Sequence, residues 1–280
     1  MSQQAITPEL CDWIAEQSRA GHPSQNILAA MLGSGWDEAI ARQALARTLG
    51  QSATLTAPAG ATPGLPEPDL SRFAPVLDAG DRPVKVVMAL RQPRVVVFAD
   101  LLSGEECDGI IALATQRLSR SETVATGGDG SEVNAARTSD GMFFERGETA
   151  LIQRVEGRIA ALLRWPLDHG EGLQVLRYSP GAEYQPHYDY FDPAHASTAN
   201  ILRRGGQRVG TLVIYLNTPA AGGSTIFPDI GLDVAPVKGN AVFFSYDRPH
   251  PATQTLHGGS PVVEGEKWVA TKWLRQGVFN

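Results

Sequence analysis

QPHYDY, residues 185–190, sets His187 and Asp189 two apart, with Tyr184, Tyr188, Tyr190 and Phe191 around them. On a β-strand, residues i and i+2 point to the same face, so the imidazole and the carboxylate would converge on one point. A metal ion is the natural occupant of such a point, and it needs a third ligand. Of the six histidines, at positions 22, 169, 187, 195, 250 and 257, His257 suits best. LHGGSPVVEGEKW places it at a turn just before the final strand-like segment. Two imidazoles and one carboxylate leave the other coordination positions open, the arrangement of non-haem Fe(II) oxygenases. A closed structural zinc site wants four protein ligands, cysteine preferred, and the chain supplies no such set. His195 lies in a polar loop and reads as a surface residue.

An HxD pair by itself arises often by chance. Lys267, ten residues after His257 and at the start of a strand, adds weight. Its aliphatic stem can run through a barrel while the ammonium meets an anionic cosubstrate. An interior lysine without such a partner would be a buried unpaired charge, which is costly. The plain alternative for that position alone is a solvated surface lysine.

The elements that would position these groups are legible in the apolar patterning. LQVLRYS, RVGTLVIYLN, STIFP, NAVFFS and KWVATKWL are short, rich in β-branched and aromatic residues, and separated by Gly and Pro turns. Many short strands without alternating helices predict an antiparallel sandwich or barrel. RVVVF and the segment after it shift from strand to helix, with Ser103 and Glu106 as a capping box for a helix through Leu118. Residues 1–50 predict three short amphipathic helices that bury their stripes against one another, the first capped by Thr7 with Pro8 at its first position. QSATLTAPAGATPGLPEPD, rich in Ala, Thr, Pro and Gly, has no periodicity and predicts a linker. The expected organisation is a helical bundle over 1–50, a linker over 51–80 and a catalytic domain over 81–280.

Composition excludes some functions. The 280 residues carry 42% hydrophobic and 19% charged residues, ordinary values for a soluble domain, and a net charge of −6. Without a basic cluster, phosphate-driven nucleic-acid binding is disfavoured. Cys11 and Cys107 are too few for a disulfide framework and fit a reducing compartment. The start lacks a signal-peptide pattern and no apolar run is long enough to span a membrane, so a cytoplasmic protein is expected.

LRYSPGAEYQPHYDY, GTLVIYLNTPAAGGSTIFPDIG and HGGSPVVEGEKWVATKWL resemble, in order, the catalytic domain of prolyl 4-hydroxylases of the collagen type. The resemblance spans about residues 93–275 and identifies the chain as a bacterial member of that family of Fe(II)- and 2-oxoglutarate-dependent dioxygenases. It implies an α+β fold whose catalytic domain is a double-stranded β-helix, or jelly roll, with flanking helices. It implies that His187, Asp189 and His257 hold the iron and that Lys267 pairs with the distal carboxylate of 2-oxoglutarate. Tyr178 and Thr211 match positions that hydrogen-bond the same carboxylate. Strand period places Lys267, Val269, Thr271 and Trp273 on one face, so Trp273 can line the cosubstrate pocket. ARTSDGMFF resembles the family's peptide-facing segment, which makes Arg137 and Ser139 substrate-site candidates with Tyr184 beside them. Residues 192–207 resemble a loop that closes over substrate. The implied reaction consumes dioxygen and 2-oxoglutarate, releases succinate and carbon dioxide, and hydroxylates a proline in a peptide or protein, with ascorbate as a reductant. The alternatives are the same chemistry on a free amino acid or small molecule, or a nucleic-acid dealkylase that the acidic chain does not suit. A non-catalytic module would be expected to lack a ligand, and a zinc-dependent cupin-like enzyme leaves the lysine unexplained.

Overall fold

The structure is a computed structural model of the chain and describes residues 6–19, 24–34, 64–120, 138–195 and 198–280, with isolated positions between 36 and 48 and short stretches at 123–124 and 131–132. The chain divides into two compact units, Met1–Thr62 and Pro63–Asn280. In the first, Thr7 Oγ1 accepts from the Leu10 amide at 3.3 Å and starts the helix Pro8–Arg19. A second helix spans Ser24–Gly33. Ile14, Ile27 and Met31 share a small core with Ala41, Ala44 and Leu45. The third expected helix lies largely outside the described residues, as does the stretch 51–63.

The second unit is built on two antiparallel sheets. The larger orders its strands Val76–Asp78, Pro83–Leu90, Arg94–Ala99, Ala241–Ser245, Arg208–Tyr215, Lys267–Arg275, Leu173–Tyr178, Asp140–Phe144 and Ser119–Arg120. The smaller orders Leu232–Val234, Thr225–Phe227, His257–Gly259 and Tyr184–His187. All five strand segments expected from the patterning are present. The period of two explains how one sheet serves two cores. Along the strand Lys267–Arg275, Trp268, Ala270 and Leu274 face the helices Gly104–Thr115 and Ala150–Leu163, where they meet Ile110, Ile159 and Leu162. Val269, on the opposite face, joins Tyr215, Phe227, Phe244 and Val262 between the two sheets. All nine residues of this strand are buried.

Polar groups fix the helical layer. Ser103 and Glu106 form the expected capping box, although the helix ends at Thr115 rather than reaching Leu118. Glu106 also takes Arg158 at 2.8 Å, and Arg158 reaches Asp81 at 2.7 Å. With the Arg158 guanidinium against it, the Glu106 carboxyl is held down at about 2. The helix Ala150–Leu163, which the patterning above does not include, is capped by Thr149 and buries Ile152, Val155, Ile159 and Leu162.

The linker expectation is corrected over its second half. Residues 64–80 belong to the second unit: Glu67 donates its amide to Leu163 O at 2.9 Å and pairs with Arg94. Leu77 and Ala79 are buried in the helix-side core. The Ala/Pro/Gly composition conceals this because a short edge strand and an extended segment need no periodicity. A fragment beginning at residue 64 should therefore melt higher than one beginning at residue 81. The shorter fragment loses the burial of Leu77, roughly 2 kcal/mol, together with the edge strand. A midpoint lower by about 5 °C or more in thermal denaturation is expected, and equal midpoints would restore residues 64–80 to the linker.

Candidate metal centre

His187 ends one strand of the small sheet, and His257 begins the neighbouring strand, directly opposite it in the antiparallel register. His257 is thus a strand residue rather than part of the expected turn. Asp189 follows two residues after His187, and the ligand atoms of the three side chains lie within 4.8 Å of one another. His187 Nε2 is 3.5 Å from Asp189 Oδ1, and His257 Nε2 is 3.5 Å from Asp189 Oδ2. The Nδ1 atoms are otherwise engaged: His187 Nδ1 meets Gln185 O at 3.0 Å, and His257 Nδ1 meets Thr255 O at 3.0 Å. A carbonyl only accepts, so each ring carries a proton on Nδ1 and turns its Nε2 toward the carboxylate. Two imidazole nitrogens and a carboxylate then face one another, a donor set that suits a cation. Such a carbonyl contact on the far nitrogen is the usual support of a metal-binding histidine. Burial drives the His257 imidazole down to about 4, against the opposing pull of Asp189. Asp189 is itself held well below the carboxylate range: its burial opposes ionisation, but the two histidines and Arg208 outweigh it.

These three groups share a solvent-connected pocket with Lys267, Tyr178, Tyr184 and Trp273. Lys267, Val269, Thr271 and Trp273 all line it, as their common face requires. Lys267 is buried and no described residue offers it a carboxylate or a hydrogen bond; its ammonium lies 5.6 Å from the centre of the Tyr178 ring. Burial alone lowers its pKa to about 8. Gly223 (φ +71°) lets the stem pass, since a Cβ there would stand 3.2 Å from Lys267 Cδ. A cavity with three cation ligands and a lone ammonium fits a divalent metal together with an anionic molecule.

Other expected residues are distributed differently. Tyr178 stands opposite Lys267 in the register, as the pocket reading requires. Thr211 is opposite Trp273, six residues along the strand from Lys267 and so roughly 20 Å away along the backbone. It cannot share a carboxylate with Lys267, and it donates instead to Asp189 Oδ2 at 2.8 Å. Tyr184 stacks on His187 with ring centres 3.8 Å apart. Ser139 is fully buried and is not among the residues that line this pocket. Arg137 lies outside the described residues. His195 is exposed. Sequence reasoning missed Thr225, which lines the cavity and accepts from Tyr215 at 2.8 Å, and the Arg208–Glu171 pair beneath Trp273. Tyr215 shares strand parity with Thr211 and Val213, which was an available signal, whereas the register shift between Arg208 and Gly210 removes Arg208 from any parity argument.

Two facing antiparallel sheets with an open two-histidine, one-carboxylate site define a non-haem metal oxygenase. Residues 173–275 match the family described as the 2OG-Fe(II) oxygenase superfamily. Prolyl 4-hydroxylase 1 of Arabidopsis thaliana is 40% identical over 231 residues, 74% of this chain and 79% of the relative. Probable prolyl 4-hydroxylase 3 of the same plant is 38% identical over 210 residues, 68% of this chain and 71% of the relative. The 2OG complex of the viral collagen prolyl hydroxylase from Paramecium Bursaria Chlorella virus-1 superposes with a TM-score of 0.50 at 30% identity, covering 65% of this chain and 94% of that one. The chain belongs to the prolyl 4-hydroxylase family of 2OG-Fe(II) oxygenases. It is a 2-oxoglutarate-dependent dioxygenase that uses Fe(II).

The lysine makes a stability prediction. It titrates near 10.4 in an unfolded chain and at about 8 here, so the folded state holds fewer protons between those values. The resulting destabilisation is full below pH 8 and fades as pH rises toward the unfolded value. Lys267→Met should stabilise the metal-free protein at pH 7 by up to about 3 kcal/mol. The gain should shrink by pH 9.5 in denaturant titrations. A variant less stable at pH 7 would mean that the ammonium has a partner within the fold.

Proposed function

We propose that this dioxygenase hydroxylates a proline residue within a peptide or protein. The observation that carries the reading is the 40% identity with a prolyl 4-hydroxylase over 231 residues, a span longer than the whole metal centre and pocket require. His187, Asp189 and His257 are assigned as the iron ligands. Lys267 is assigned to the distal carboxylate of 2-oxoglutarate, with Tyr178 beside it and Trp273 closing the far end of the wall. When bound, Fe(II) with 2-oxoglutarate and dioxygen supplies the oxidation, giving succinate, carbon dioxide and the hydroxylated product.

The chain's own residues orient that chemistry. The carbonyls of Gln185 and Thr255 keep both imidazoles in the tautomer that presents Nε2. Asp189 supplies a permanent negative charge at the position where related halogenases hold chloride, which favours hydroxylation. Tyr184, stacked over His187, stands where a flat, apolar pyrrolidine ring can rest near the metal. Proline-rich peptides suit such a site because their extended polyproline form is largely ordered before binding. Arg137, outside the described residues, is assigned to the peptide from the resemblance of its segment. The catalytic unit is taken to begin near residue 64, with the N-terminal helices a separate appendage. The bacterial setting and ascorbate as reductant belong to the same reading and rest on the family resemblance; the two cysteines, both free, support only a reducing, cytoplasmic setting. No helix among the described residues is long and apolar enough to cross a membrane.

Incubation with Fe(II), 2-oxoglutarate and proline-rich peptides should add one oxygen atom, traceable to dioxygen and localised to proline by tandem mass spectrometry. His257→Ala should abolish it. Oxidation of free amino acids or nucleobases, with every proline peptide ignored, would overturn the substrate assignment.

A further inference from the structure

Thr211 interrupts an apolar surface. Its strand neighbours Leu212, Ile214 and Tyr215 are fully buried, and Thr211 itself is 0% exposed. A hydroxyl in that setting is costly unless bonded. Its single proton goes to Asp189 Oδ2 at 2.8 Å, because an ionised carboxylate only accepts. Thr211 Oγ1 also lies 3.1 Å from the hydroxyl of Tyr246, which is 2% exposed. With the threonine proton already committed, the phenol must be the donor. The bonds therefore run one way, from Tyr246 to Thr211 to Asp189. Thr211 belongs to the large sheet and Tyr246 directly follows another of its strands, whereas His187 and His257 lie on the small sheet.

We infer that Tyr246 and Thr211 are positioning residues for the metal: a directional hydrogen-bond chain from the large sheet that fixes the Asp189 carboxylate against the two histidines. The inference rests on the metal-site assignment above and goes beyond it, since neither residue faces the cavity. Asp189 follows the end of its strand and so lacks the strand pairing that fixes His187 and His257. Its side chain needs an anchor from elsewhere. Arg208 Nη1 holds its backbone carbonyl at 3.4 Å, and Thr211 holds its side chain. Tyr246, by donating to the threonine oxygen, prevents that hydroxyl from turning away. Such outer partners typically change metal affinity by 10- to 100-fold.

The test uses the full chain and Mn(II), whose free hexaaqua ion is counted by electron paramagnetic resonance without turnover. Thr211→Val keeps the shape and removes both bonds. It should weaken Mn(II) binding about 10- to 100-fold, whereas Thr211→Ser should stay close to the parent. Tyr246→Phe should weaken binding several-fold, and adding it to Thr211→Val should cost nothing more, because the chain is already cut. Parent-like affinity in Thr211→Val, or equal losses in Thr211→Ser and Thr211→Val, would overturn the inference. So would independent, additive losses in the double variant. A parent protein that binds no Mn(II) would instead remove the metal-site assignment itself.

Discussion

The site depends on three side chains meeting at one point. Two imidazole Nε2 atoms and an ionised carboxylate have their ligand atoms within 4.8 Å of one another, and each imidazole Nδ1 is held by a backbone carbonyl on the opposite side of its ring. That donor set suits a divalent ion. The backbone is organised to hold it in place. The two histidines are register partners on adjacent strands, and the carboxylate is tied to the other sheet. The facing of the two sheets is therefore what makes the donor set, as much as the ligands themselves.

The strand Lys267–Arg275 shows how the same residue type takes opposite roles by parity. Lys272 faces the helices, where Glu156 lies 2.5 Å from its ammonium and the Glu171 carbonyl also accepts. Lys267, five residues earlier, faces the cavity, where no described residue offers it a carboxylate. Both are buried in one strand of one fold. The first is a satisfied structural pair, and breaking it by removing one partner would leave a buried charge. The second is a charge whose proposed counter-ion is a carboxylate of 2-oxoglutarate, which carries one at each of its ends.

Much of this was legible because it depends on period and spacing. The HxD pair, His257 and Lys267 were found from the two-residue period and from the need for a third ligand and an anion partner. The five strands of the patterning are the ones that build the pocket wall. Thr211 was misplaced because resemblance gives a residue a position in a motif but not a register. Only the pairing with Trp273 reveals that it stands too far along the strand to meet Lys267's partner. Ser139 was misread because a loop-like segment hides how deeply its small side chain sinks. Tyr246 was invisible because its role exists only across two strands distant in sequence. The folded half of the Pro-rich connection was missed because its anchors, Glu67 on Leu163 and Arg94, are equally long-range.

The central claim is that metal and lysine are two ends of one anion site. Calorimetric titration of 2-oxoglutarate tests it most directly, under anaerobic conditions, into the parent and Lys267→Met proteins, each with and without Mn(II). The account predicts that loss of either the ion or the ammonium weakens binding at least about tenfold, a charge-assisted contact contributing on the order of 1.5–3 kcal/mol. Loss of both should abolish measurable binding. Affinity unchanged by removing the ion, or by removing the ammonium, would contradict it.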